Sequence, residues 1–233
     1  MTVTEIAILR VHAGVTDSTL RDTLGGATPI QEAWHARTFP DRPSSASARA
    51  VACFRGISDE TQITITTNWG SVEEHWQWIL SDDNKQLMEG SNLTKIIANE
   101  GPPNQSGGLG LFHLDTDIFG NSHAATSKDT IALLDSPVIG LERFVVDAEK
   151  KEIFAETLEK VKASMAKVVQ PHLVKSGHVA DREADGEEFM LVSGWSCVES
   201  HTQEFAASSE SFLYGQLAGI ASSVETQHYR RFL

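Results

Sequence analysis

Two apolar runs, Ile6 to Val11 and Val138 to Val146, are rich in branched residues and broken only by Arg10 and by Glu142 and Arg143. That pattern predicts an opening strand in each half of the chain. After the first, Thr16 or Asp17 caps a helix reaching about Arg37, with Gly25, Gly26 and Pro29 predicting a bend or break near its middle. After the second, Ile153, Phe154, Leu158, Val161, Met165 and Val168 fall at helical spacing, so an amphipathic helix runs from about Asp147 and stops before Pro171. Paired strands follow, Ala48 to Phe54 with Gln62 to Trp69 and Val174 to Ala180 with Glu188 to Trp195, each pair joined by a turn-rich segment. Second helices start just beyond the two tryptophans and extend to about Ala98 and Ser223. Closing strands span roughly Leu109 to Thr116 and Glu225 to Phe232.

Each half therefore reads strand, helix, strand, strand, helix, strand, the ferredoxin-like order. The halves also share a motif: Trp69-Gly-Ser-Val-Glu-Glu-His75 recurs as Trp195-Ser-Cys-Val-Glu-Ser-His201, with Trp, Val, Glu and His at identical spacing. The chain is a duplication, with repeats over 1–116 and 137–233 and a linker over 117–136. Ser71 and Glu74 are spaced as a capping box, and Ser196 and Glu199 repeat it one position displaced. Pro102, Pro103, Gly107 and Gly108 mark an insert that only the first repeat carries. A four-stranded antiparallel sheet with helices on one face needs a cover for the other, and a second copy supplies one. The expected fold is α+β: two ferredoxin-like βαββαβ repeats forming an intramolecular dimeric α/β barrel, a pseudo-dimer within one chain, with a further homodimer left open.

Composition narrows the function classes. The 233 residues are 40% hydrophobic and 22% charged, ordinary for globular protein and enough for two small cores. A net charge of −13, with no Lys/Arg cluster, speaks against nucleic-acid partners. No run of about 18 apolar residues asks for a membrane, and no leader precedes Ile6, so a cytoplasmic protein is expected. Cys53 and Cys197 read as free thiols without metal spacing. Phosphate-loop, serine-elbow and zinc-protease motifs are missing, and no spacing asks for a metal.

The motif Trp-x-Ser/Cys-Val-Glu-x-His at a strand-to-helix junction, inside such a unit and present twice, resembles the antibiotic biosynthesis monooxygenase-like domains of the dimeric α/β barrel superfamily. That resemblance covers nearly the whole chain. It implies a small hydrophobic cavity in each half, between sheet and helices, where members oxidise or cyclise aromatic and polyketide-like molecules, many of them without a cofactor. Other members bind or degrade haem, and fold alone does not choose among these.

Candidate chemistry starts from histidine. Val72, His75, Trp76 and Ile79 share one helical face, and Val198, His201 and Phe205 repeat it, so His75 and His201 are candidate general acids or bases. His113 and His228, on the closing strands, are placed to approach them. Trp69, Trp76, Trp195, Tyr214 and Tyr229 are candidate substrate-binding aromatics. Arg10 and Arg143 occupy matching places in the opening strands, where a guanidinium either holds a carboxylate, phenolate or enolate of the substrate or is simply salt-bridged or solvated. The halves differ: the phenols of the second suit cyclisation or isomerisation, and the aromatic density of the first suits a flat substrate. The expected function is a cofactor-independent enzyme of secondary metabolism that uses histidine acid/base chemistry to cyclise or isomerise an aromatic, polyketide-like or conjugated substrate. The alternatives are a cofactor-free monooxygenase of phenolic or quinone-type substrates, and a non-catalytic ligand- or haem-binding protein with His75 or His201 as axial ligand.

Overall fold

A computed structural model describes residues 2–98, 110–120, 130–181 and 186–233. The Pro/Gly insert and residues 121–129 of the expected linker lie outside them. The chain divides into two compact units: Met1–His113 with Arg231–Leu233, and Leu114–Arg230.

In the first unit, β1 (Val3–Arg10), α1 (Asp17–Gly25), α2 (Ala27–Thr38), β2 (Ala52–Gly56), β3 (Gln62–Trp69), α3 (Val72–Ile79), α4 (Asp82–Gly90), α5 (Leu93–Ile96) and β4 (Gly110–Leu114) follow in order. The strands lie in the order β4-β1-β3-β2. Strand β1 runs antiparallel to β3 with Val3 opposite Trp69 and Arg10 opposite Gln62, and β2 pairs with the other edge of β3. The first helix breaks where Gly25, Gly26 and Pro29 predict: the Thr16 hydroxyl accepts from the Thr19 amide to start α1, and Pro29 falls in the first turn of α2, where no amide is needed. The second helix, expected to be continuous to Ala98, is instead three pieces. Ser71 caps α3 and Ser81 caps α4, each accepting an amide hydrogen bond, so the serine at 81 restarts the helix.

The second unit contains β5 (Val138–Val146), α6 (Lys151–Val168), β6 (Val174–His178), β7 (Glu187–Trp195), a π-helical turn (Ser200–Phe205), α7 (Ser211–Ile220) and β8 (Ser223–Arg231). Its strand order is β8-β5-β7-β6, the same arrangement. Val138 lies opposite Trp195, as Val3 lies opposite Trp69. In α6, Phe154, Leu158, Val161 and Met165 form the buried stripe that the spacing predicts. Here too the second helix is interrupted, between the π turn and α7, in the serine-rich stretch at 208–211.

The cores differ. That of the second unit is one cluster, with Phe144, Phe154, Phe205 and Trp195 in contact with the α6 stripe. The first unit has two clusters, one around Leu9, Leu20, Leu24, Cys53 and Phe232, the other around Val3, Trp34, Trp69 and Trp78. The final residues are part of this unit because Phe232 is buried in its core and Cys53 exchanges backbone hydrogen bonds with Phe232 and Leu233.

Candidate functional site

Between the two clusters of the first unit lies a cavity of about 340 Å3. Its walls are apolar: Ala7 and Leu9 of β1, Cys53 of β2, Ile65 of β3, Trp78 and Ile79 of α3, with Leu24, Met88, Leu93, Leu111 and Leu233. Strand alternation puts Glu5, Ala7 and Leu9 on the same face of β1, so Glu5 enters this wall as a lone carboxyl. His75 joins it from α3.

These two groups belong to a buried network. The Trp69 indole N–H donates to Glu5 Oε2 at 2.7 Å, and His75 Nε2 lies 3.4 Å from the same oxygen. On its other side, His75 Nδ1 is 2.7 Å from His113 Nε2. The imidazole of His75 stacks on Trp69 with centroids 4.6 Å apart, and Arg49 covers Trp69, its guanidinium 4.2 Å from the ring centre. Burial raises the Glu5 pKa to about 7, against the opposing pull of the Trp69 hydrogen bond and the charges of His113 and Arg49. A carboxyl that titrates near neutrality can take a proton and return it under the same conditions, and His75 stands beside it as a second proton-transfer group.

The second unit repeats the histidine pair. His201 Nδ1 is 2.9 Å from His228 Nε2, and Trp195 stacks on His201 at 4.5 Å. The carboxyl differs. Gly140, two residues past the valine that faces the tryptophan, takes the position of Glu5, and Glu142 lies 2.8 Å from His201 Nε2 instead. That approach is an ion-pair contact rather than an aligned hydrogen bond, and both Glu142 oxygens are buried without a hydrogen-bond donor. The Trp195 indole donates to Ser193 rather than to a carboxyl. Where Leu9 borders a cavity, the corresponding Phe144 fills space together with Phe154 and Tyr214.

The structure thus brings His75 to His113 and His201 to His228, and it sets Trp69 and Trp195 against them. Other expected residues stand elsewhere. Arg10 faces away from Glu5 on β1 and pairs with Asp59 at an exposed edge, and Arg143 pairs with Glu188 and Glu225 on the face opposite Glu142. Neither lines the cavity, because odd and even strand positions point to opposite faces. Trp76 is 42% exposed; Trp78, not Trp76, is the tryptophan of α3 in the wall. Tyr214 packs on Phe144 and Phe205, its hydroxyl pushed above the usual phenol range by burial and by Glu142. Tyr229 is buried next to His228 in sequence and so on the other strand face. Glu5 escaped the sequence reading because the opening strand begins at Val3, not Ile6; the signal was a single acid in an otherwise apolar strand. Glu74, expected to complete a capping box, instead directs its carboxylate to His35 and Arg42.

Among the described residues no cluster of three or more His, Cys, Asp or Glu could hold a metal ion. Both nitrogens of His75 and both of His201 face a histidine or a carboxyl, so an axial bond to haem at either ring would have to displace one of these contacts. No described helix is long and apolar enough to cross a membrane.

The chain matches no protein-family model and no curated protein sequence. Solved structures are similar over its whole length. A protein described as anthrone oxidase-like matches 99% of the chain over 91% of its own, with a TM-score of 0.62 and 11% identity. A candidate monooxygenase from Lactobacillus acidophilus matches 100% over 94%, at 0.57 and 11%. Another, from Fusobacterium nucleatum, matches 100% over 93%, at 0.56 and 12%. At these identities the likeness is one of fold: the chain is a tandem ferredoxin-like α+β protein with the architecture of these structures, as its repeated Trp-x-x-Val-Glu-x-His motif implied.

Proposed function

We propose that the first unit is a cofactor-independent enzyme that deprotonates a small conjugated or aromatic substrate, and that the resulting anion reacts with dioxygen. The observation that carries this reading is the placement of Glu5 and His75 together in the wall of a largely apolar cavity, with His113 behind His75. A volume of about 340 Å3 falls within the ordinary range for small-ligand sites, roughly 300–1,000 Å3.

Ionised Glu5 takes a proton from an activated C–H or phenolic O–H, and His75 donates to the oxygen on which negative charge develops. His113 is a positioning residue that fixes the ring of His75. For a methylene flanked by aromatic rings, the carbanion adds dioxygen to give a hydroperoxide, and loss of water from the hydroperoxide leaves a ketone. The balance is one methylene and one dioxygen consumed, one carbonyl and one water formed. The electrons come from the substrate, so the step calls for no resident metal or flavin. The names of the fold relatives favour oxygen as acceptor, while cyclisation or isomerisation would use the same first proton transfer.

An anthrone serves as probe. Oxygen consumption with ketone formation, lost in Glu5→Gln and His75→Ala, supports the proposal. Product formed equally under argon would replace it with cyclisation or isomerisation, and binding without turnover would make the unit a ligand carrier.

A further inference from the structure

On the other side of Trp69 lies a second pocket of the first unit, about 370 Å3, lined by His35, Arg42, Arg49, Asn68 and Glu74 among others. Its charges are unusual for a chain with a net charge of −13. Arg49 is 4% exposed. Its Nε and Nη1 donate over 3.4 Å to the Asn68 carbonyl and the Gln31 side chain, both neutral acceptors, and its Nη2 is buried with no partner. Desolvation lowers its pKa only to about 10, so it is a cation at neutral pH. The Trp69 ring face and the more distant Glu5, Glu74 and Glu32 offset part of the cost of burying this guanidinium, but no carboxylate is in contact with it.

His35 supplies a second incomplete group. Its Nε2 is 2.9 Å from Glu74 Oε1, while Glu74 Oε2 takes Arg42. The Glu74 carboxylate accepts, so His35 Nε2 carries the proton. Burial and the neighbouring Arg49 and Arg42 hold the His35 pKa below its usual value, which leaves Nδ1 bare. That atom, too, is buried without a partner. Two residues that line the pocket therefore each carry a buried polar atom without a partner, one a cationic donor and the other an acceptor. Arg42, 49% exposed at its side chain, stands at the rim.

We propose that this pocket binds a small oxyanion that carries an O–H, namely hydrogen phosphate, with Arg49 donating to an anionic oxygen and the phosphate O–H donating to His35 Nδ1. A carboxylate offers the charge but not the hydroxyl, so phosphate is the better complement. The inference does not rest on the reaction assigned to the neighbouring cavity.

Calorimetric titration of the whole protein with inorganic phosphate, and with acetate in parallel, tests it. Expected are saturable phosphate binding, a rise in melting temperature with phosphate, and weaker acetate binding. Arg49→Lys keeps the charge but loses the fork, and Arg42→Ala trims a half-exposed side chain. Each should weaken phosphate by about tenfold or more while the unliganded protein still melts cooperatively. No saturable phosphate binding would overturn the proposal, as would acetate binding as tightly as phosphate. Binding unchanged in both variants would overturn it too, by pointing to an adventitious ion only.

Discussion

Gly140 holds in the second unit the strand position that Glu5 holds in the first, two residues beyond the valine opposite the repeated tryptophan. A Cβ at Gly140 would lie 3.0 Å from Ser193 Oγ, 3.2 Å from His201 Nδ1 and 3.3 Å from the Trp195 indole nitrogen, so a side chain there would require these neighbours to give way. The acid has moved along the same strand face to Glu142, and the indole that steadies Glu5 has turned to Ser193. The two histidine pairs look alike, but only the first faces a cavity lined with Glu5.

The units should therefore respond differently to the same substitution. His75→Ala is expected to lower kcat/KM by about 10²–10⁴-fold, the usual contribution of a positioned acid or base. His201→Ala should leave turnover per folded molecule unchanged and cost roughly 1–3 kcal/mol of stability through the polar partners it strands. Steady-state kinetics beside denaturant unfolding of both variants distinguishes the roles; equal kinetic losses would sink the assignment to the first unit.

Glu5 also makes stability depend on pH. Its folded pKa of about 7 stands above the ordinary 4.5, so the folded state holds the proton more tightly than the unfolded state. Its share of stability is complete below pH 4.5 and is lost as pH rises through 7, roughly 3 kcal/mol in all. Glu5→Gln should remove that decline, so the variant gains on the native protein between those limits. Unfolding free energies measured at several pH values check the slope, and parallel curves for the two proteins would refute it.

Trp69 holds the Glu5 pKa down by donating to its charged form. Trp69→Phe removes the donor, and the rising limb of the kcat/KM profile should move alkaline by about one pH unit, consistent with a hydrogen bond to a charged group. Trp195→Phe, whose indole serves Ser193, should leave the profile where it is. A pH profile recorded for each variant decides this.

Space is the third requirement of the site. Ala7→Phe projects a ring into the cavity much as Phe144 fills the second unit. Because the ring enters open volume, melting temperature should hold or rise, while KM rises about tenfold or more through lost contact area. A folded variant with unchanged KM would place the substrate elsewhere.

Much of this was legible in the chain itself. Strand β3 at Gln62–Trp69, strand β5 at Val138–Val146 and the break near Gly26 follow directly from alternation and from glycine and proline chemistry. The approach of His113 to His75 and of His228 to His201 could be anticipated because closing strands return beside opening ones in this topology. What escaped was the part that depends on volume and on strand parity. Nothing in Ala7, Cys53 or Leu9 taken singly announces a cavity; Leu9 borders open volume where the second unit has the larger Phe144. Of the two readings open to Arg10 and Arg143, substrate contact or salt bridge, strand parity selects the salt bridge by setting both on the face away from Glu5 and Glu142. Glu74 shows the limit of a local motif: spacing marks it as a cap, but His35 and Arg42, distant in sequence, claim its oxygens.

Leu233 lines the cavity, and Arg21 donates to the carbonyl of Phe232 across a separation of 211 residues. During synthesis the wall of the N-terminal unit thus waits for residues translated after the second unit. On a nascent chain that stops short of Leu233 the apolar chamber lacks that part of its wall.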